Sequence, residues 1–225
     1  MVDKLSFGYN STEALLQNIS FKLAEGECLG IVGGNGAGKS TLLWCLLGLL
    51  KHSGTVRLFG DIPTRKTLMR VGMVFQNPED QLFMPAILDD AALPLVNRGT
   101  PIRQARKTAQ ENFEQMGLGK LINRPASEIS IGERKRASIA VALSTLPELL
   151  LLDEPTAELD GRAVNQLVEA LRRLPIARII ASHDTNFLKK TTSRILVLCE
   201  GRIISDGPVS DVLNDRALLQ AARLE

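Results

Sequence analysis

The sequence predicts an α/β fold in which a largely parallel sheet carries an inserted, helix-rich middle. Three observations support this. In the last third of the chain, strand and helix patterns alternate, as they do where parallel strands are covered by helices. The run Leu149-Leu150-Leu151-Leu152 is apolar throughout and too short for a helix, which suits a strand buried on both faces. Near residue 100 the pattern turns helical, with one run to Gly117 and a second from about Ser130 to Thr145.

Taken in order, the first quarter reads as short strands separated by turns. These are Leu5 to Tyr9, Leu16 to Leu23 and Cys28 to Val32, with Glu25-Gly26-Glu27 breaking the chain before the third. A glycine cluster follows, then good helix formers from Lys39 to Leu50. Thr55 to Phe59 and Val71 to Phe75 are strand-like. Thr100 suits an N-cap and Pro101 the first helical position, ahead of Ile102, Ala105, Ala109, Phe113 and Met116 at helical spacing. Gly117 ends that run. A second helix should begin near Ser130 and reach Thr145, with Ala137, Ala140, Val141 and Ser144 along one face. Asp160 should cap a helix carrying Val164, Leu167, Val168, Leu171 and Leu174, which stops before Pro175. Ile176 to Ala181 is the next strand. Ile195 to Cys199 and Arg202 to Ser205 should pair as a hairpin around Glu200-Gly201.

Composition bounds the function. The 225 residues are compatible with one domain, and 44% hydrophobic with 23% charged is ordinary for a soluble globular protein. A net charge of +2 lacks the strongly basic footprint of a dedicated nucleic-acid binder, and Arg134-Lys135-Arg136 is expected to be a solvated helix face. The apolar stretch from Leu42 to Leu50 falls well short of the roughly twenty residues a spanning helix needs, so membrane contact is expected only through partners. The start Met-Val-Asp-Lys-Leu-Ser does not resemble a secretory signal, so a cytoplasmic location is expected. Cys28, Cys45 and Cys199 form no CxxC pair and are expected to be buried thiols.

Gly33-Gly34-Asn35-Gly36-Ala37-Gly38-Lys39-Ser40 fits G-x-x-x-x-G-K-[ST] between a strand and a helix. Glycines let successive backbone N–H groups point inward at a polyphosphate, and the following helix adds the positive end of its dipole. Lys39 would reach the β- and γ-phosphates, the Ser40 hydroxyl would ligate Mg²⁺, and Thr41 would donate to a phosphate oxygen. The third glycine of a dinucleotide fingerprint is absent, since Lys39 stands in its place. Kinases, GTPases and motor ATPases all remain compatible with this motif alone.

Asp153 and Glu154 stand where the buried strand emerges. Ligands of doubly wound sheets lie at the carboxyl ends of strands, so these acids should face the phosphates. Asp153 would hold Mg²⁺ directly or through water, and Glu154 is placed to act as general base on an attacking water.

With these residues in view, the chain resembles the nucleotide-binding domains of ABC transporters along essentially its whole length. The resemblance implies a P-loop NTPase (RecA-like) parallel-sheet core with an N-terminal antiparallel β subdomain. It also implies an inserted α-helical subdomain at about 84–146, within one domain over 1–225. It further implies that Tyr9 stacks on adenine and that Gln76 contacts Mg²⁺ and water and signals to the membrane subunits. Ala157-Glu158-Leu159-Asp160 stands at the D-loop, and His183 in Ser182-His183-Asp184 resembles the switch histidine at the γ-phosphate. Ile129-Ser130-Ile131-Gly132-Glu133 aligns with the family's Leu-Ser-Gly-Gly-Gln. Ser130 and Glu133 also spell a capping box at a helix start. Ser130 and Gly132 are implied to serve ATP bound to a second ATPase subunit, either a copy of this chain or a relative. Ile131 departs from the family's glycine, and so does Glu158 in the D-loop.

Phe75 to Phe83 looks like the Q-loop region of ATPases from energy-coupling factor importers, which take up vitamins and cobalt or nickel ions. That likeness implies a transmembrane coupling subunit contacting Asp80, Gln81, Leu82 and Phe83, and a place at the cytoplasmic face of the membrane. A soluble ABC ATPase with a non-transport role, such as a cofactor-assembly scaffold, is the alternative. An ABC ATPase of DNA or ribosomes would need a long coiled-coil insertion or a tandem cassette, and neither pattern is present.

Overall fold

The computed structural model describes residues 1–10, 14–222 and 224. In chain order the elements are β1 (Val2–Phe7), β2 (Leu16–Phe21), β3 (Cys28–Val32), α1 (Lys39–Leu46), β4 (Ser53–Val56), α2 (Arg65–Leu68) and β5 (Val71–Val74). They continue with α3 (Ile87–Val96), α4 (Ile102–Gln115), α5 (Ile131–Ser144), β6 (Leu149–Asp153), α6 (Gly161–Arg172) and β7 (Ala177–Ser182). The last are α7 (Thr185–Thr191), β8 (Arg194–Cys199), β9 (Arg202–Pro208), α8 (Val209–Val212) and α9 (Arg216–Ala221). The chain falls into two compact units, residues 1–69 with 176–225, and residues 70–175.

In the first unit, β1 pairs antiparallel with both β2 and β4. Separately, β3 runs parallel between β7 and β8, and β9 closes that edge antiparallel to β8. The hairpin expected around Glu200-Gly201 forms, with both residues at positive φ (47° and 74°), the pair of left-handed conformations that a two-residue hairpin turn requires. β7 is buried throughout, as a central strand covered on both faces must be, whereas β9 alternates exposed and half-buried positions.

In the second unit, β5 and β6 pair in parallel, from Val71↔Leu149 to Val74↔Leu152. α3, α4 and α5 lie between these two adjacent strands in sequence, so the helical middle is an insertion between them. The Leu149–Leu152 run is buried as its composition requires. α4 buries Ala105, Ala109 and Phe113 on one face, and Asn112 there donates to Ser144 Oγ of α5 at 3.2 Å.

Several boundaries differ from expectation. α4 begins at Ile102 with Pro101 as its N-cap, so Thr100 caps nothing; the proline supplies an extended residue without an N–H to satisfy. α1 ends at Leu46, because Gly48 takes φ 67° and breaks the helix before Leu50. β4 stops at Val56, and Phe59 turns with φ 55°. β1 ends at Phe7, which leaves Tyr9 beyond the strand. α5 is buried from Ala137 to Ser144 rather than along one face. Of the cysteines, Cys45 is buried, while Cys28 and Cys199 are half-buried near strand ends. Among the described residues, no helix is long and apolar enough to cross a membrane.

Candidate functional site

The first unit holds the phosphate cradle. Gly33 follows β3 so tightly that a Cβ there would stand 2.3 Å from the Leu198 carbonyl oxygen. Gly38 carries φ 100°, and a Cβ would also meet the Leu16 side chain at 2.7 Å. Only glycine satisfies both positions, which is the physical content of the motif here. Lys39 is buried, and its ammonium donates to the carbonyls of Gly33 at 2.8 Å and Gly34 at 3.3 Å. These bonds hold the loop closed around the point charge. Asn35 and Gly36 are exposed at the loop tip, Ala37 and Thr41 are buried, and Ser40 is half-buried. The N-cap of α1 is Gly38, which has no side chain with which to cap the helix.

β3 and β7 pair in parallel up to Val32↔Ser182, so Gly33 and His183 follow side by side beyond that last rung. His183 is exposed and held between fixed neighbours. The Ser182 hydroxyl accepts the Asp184 N–H at 3.1 Å, and Asp184 caps α7 by accepting the Phe187 N–H at 2.9 Å. Tyr9 is 62% exposed and stands edge-on to Phe7, with ring centroids 4.9 Å apart. Its ring is therefore open on one side, although it lies in a bend and not on a strand.

The second unit holds the carboxylates. Beyond Val74↔Leu152, the paired strands β5 and β6 continue into Phe75-Gln76 and Asp153-Glu154. Asp153 and Glu154 are 3% and 6% exposed, while Gln76 is exposed. Glu154 takes φ 41°, a left-handed conformation that a residue with a side chain adopts only where its surroundings impose it. Its carbonyl accepts the Ala157 N–H at 3.1 Å and the Lys135 ammonium at 3.4 Å.

Lys135 corrects the expectation that Arg134-Lys135-Arg136 forms a solvated face. It is 2% exposed, and its Nζ also donates to the Gln76 carbonyl, while Arg134 and Arg136 are half-buried. Burial holds the ammonium below the usual lysine range, and the carboxylates of Glu158, Glu154 and Asp153 oppose that shift. Sequence reasoning missed this residue, although the signal was there. Ile131, Lys135, Ser138, Ile139 and Ala142 recur at helical spacing, so Lys135 occupies a core stripe.

The capping box forms at the start of α5. Ser130 N–H and Oγ each donate to Glu133 Oε2 at 2.8 Å, and Glu133 N–H donates back to Ser130 Oγ at 3.3 Å. The Ser130 backbone bond, then its hydroxyl bond, hold the Glu133 carboxyl below its usual range. Ile131 is an ordinary first helical residue, so nothing in the backbone demands glycine there. Gly132 faces α6, where a Cβ would lie 3.0 Å from Ala163 Cβ. Asp160 caps that helix by accepting the Ala163 N–H at 2.8 Å, as expected. The signature stretch and the Asp160 turn are thus neighbours. Glu158, where the family commonly has glycine, takes φ 66°.

Of the four expected partner contacts, two are turned inward. Leu82 is 5% exposed, and the Gln81 amide donates to Met73 O at 3.2 Å and Ser138 O at 3.0 Å. They anchor the segment to its own unit rather than offering a surface. Asp80 is exposed, as is Phe83 at 68%. The backbone of Phe83 is fixed by buried Asp90, whose Oδ1 accepts the N–H groups of Phe83 and Met84, each at 3.0 Å.

A strand–glycine loop–helix cradle with its lysine folded inward, together with a buried strand ending in two acids, defines a P-loop nucleotide hydrolase. The sequence profile of the ABC transporter family matches residues 16–157, and this chain belongs to that family. It binds ATP with Mg²⁺ and hydrolyses it. A putative ABC transporter ATP-binding protein of Geobacter sulfurreducens is 43% identical over 96% of this chain and 88% of its own length. An energy-coupling factor transporter ATP-binding protein of Methanothermobacter thermautotrophicus is 35% identical, covering 98% of this chain and 74% of that protein. The solved structure of cbiO1 from Clostridium perfringens, described as part of the ABC transporter complex cbiONQ, superposes with a TM-score of 0.86. That pair is 32% identical over 100% of this chain and 94% of the other.

Proposed function

We propose that this chain is the ATP-hydrolysing subunit of an energy-coupling factor importer, docked at the cytoplasmic face of the membrane through a transmembrane coupling subunit. Its cargo would be a vitamin or, as we favour, a transition-metal ion of the cobalt and nickel class. The observation that carries the reading is the Gln76–Phe83 segment, in which exposed Phe83 stands on a backbone pinned by Asp90. Similarity to the energy-coupling factor relative and to cbiO1 across nearly the whole chain supports it.

In this reading Asn35, Gly36, Ala37 and Gly38 wrap the phosphates with backbone N–H groups, and Gly33 gives the loop its tight start. Lys39 leaves the carbonyls of Gly33 and Gly34 for phosphate oxygens, and Thr41 donates to one of them. Ser40, Gln76 and Asp153 would offer oxygen ligands to Mg²⁺, whose charge would offset that of the phosphates. Tyr9 stacks on the adenine. Glu154 accepts the proton of the attacking water, and His183 and Gln76 position groups around the γ-phosphate. Ser130, Gly132 and Asp160 serve the nucleotide of a second ATPase subunit, so that ATP joins the pair and hydrolysis releases it.

Purification of the tagged chain from its own membranes in mild detergent tests the importer role. The expected companion is a small polytopic membrane protein with a substrate-capturing subunit. Recovery with soluble proteins alone contradicts the role and leaves the ATPase standing.

A further inference from the structure

We propose that Lys135 is a positioning residue for ATP hydrolysis, because its buried ammonium ties the backbone at Gln76 to the backbone at Glu154. The inference rests on the roles proposed above for those two side chains.

The geometry leads here from three sides. β5 and β6 end together, and Gln76 and Glu154 continue from those paired ends. Lys135 comes from α5, a third element, and its Nζ reaches the main-chain carbonyl of each residue. An ammonium has three donors and no acceptor, so it can bridge carbonyls that cannot bond one another. Its burial makes this use specific. A lysine kept 2% exposed and away from water has to satisfy its donors internally, and these carbonyls are where they go.

The backbone being held is unusual. Glu154 sits at φ 41°, and its side chain must leave the strand in the direction that this conformation sets. The Ala157 N–H bonds the same carbonyl from the following turn, at 3.1 Å. Lys135 thus completes a two-sided hold on the peptide that aims the proposed base, and fixes Gln76 to it. A core lysine that merely satisfied its own donors would contribute to stability alone.

The test compares the full chain with Lys135→Met, Lys135→Gln and Lys135→Arg, each checked by thermal melting and nucleotide binding before kinetics. For Lys135→Met, kcat should fall about tenfold or more while KM for ATP changes less than about twofold, and Lys135→Arg should recover part of the loss. In a Glu154→Gln background, Lys135→Met should add little further loss, since both changes strike one unit. A folded Lys135→Met protein with wild-type kcat overturns the proposal, as does a loss carried wholly in KM. If Lys135→Met does not fold, Lys135→Gln is judged by the same criteria. If Glu154→Gln alone leaves turnover intact, the assigned base falls and this inference with it. If Glu154→Gln stalls turnover while Lys135→Met does not, Lys135 alone loses its role.

Discussion

At Glu158 the side chain stands on a backbone at φ 66°, which costs an L residue about 1–2 kcal/mol relative to its usual conformations. The family's glycine at this position therefore has a conformational reason. Replacing Glu158 with glycine should raise stability by about 1 kcal/mol, offset in part by the greater freedom of the unfolded chain. Denaturant melts of both proteins check this, and an unchanged or lowered midpoint contradicts it. Ile131 is the opposite case. It departs from the family's glycine but lies in regular helix, so no comparable strain is expected. Both departures were visible in the sequence, whereas their different meanings required the dihedrals. Lys135 marks the limit from the other side, because local charge suggested a solvated run while the helical stripe placed it in the core. Leu82 and Phe83 are adjacent apolar residues, yet one is buried and the other exposed, a division that composition cannot make.

Elements were legible where their caps and periods are local. α5 starts at its capping box, α6 starts after Asp160, and the β8–β9 hairpin turns at Glu200-Gly201. The residue pattern did not mark α3, which only the family resemblance placed within a helical region at about 84–146, because its signals are not local. Its N-cap is Ala86, it contains Pro94, and its opening N–H groups are satisfied by distant carbonyls, Ile87 N–H by Arg124 and Leu88 N–H by Ile122, both at 3.0 Å. A proline inside a helix lowers any propensity sum, and only tertiary bonds compensate. For α5, Ser130→Ala should cost about 1 kcal/mol of stability at neutral pH. The pH dependence has a defined sign. Glu133 has a folded pKa held below its ordinary value of 4.5, so its contribution is present above that value and is lost as pH falls through the folded pKa. Melts from pH 7 to pH 3 should show wild type and Ser130→Ala converging at the acid end. A constant gap contradicts the charge-assisted cap.

At the scale of the molecule, the cradle belongs to residues 1–69 and the carboxylates to 70–175, two compact units of one chain. The alternation of strand and helix announced the parallel α/β class, and the glycine loop with its lysine announced the phosphate cradle, because each requires particular residues at fixed spacing. Which of the residues Asp80 to Phe83 face outward was not legible in the sequence, since that depends on how the loop packs on its own unit. Phe83→Glu should leave the melting midpoint almost unchanged, as expected for a residue 68% exposed, while abolishing co-purification with the membrane subunit. Retained co-purification removes Phe83 from the docking surface.

Glu154→Gln, measured for both ATP binding and steady-state hydrolysis, probes the central claim most directly. The buried strand end and its imposed backbone exist in this account to aim one carboxylate at water. The variant should bind ATP as wild type does and lose turnover on the order of 10²-fold or more. A folded, ATP-binding variant that hydrolyses at the wild-type rate would contradict the assignment of the base and the mechanism built on it.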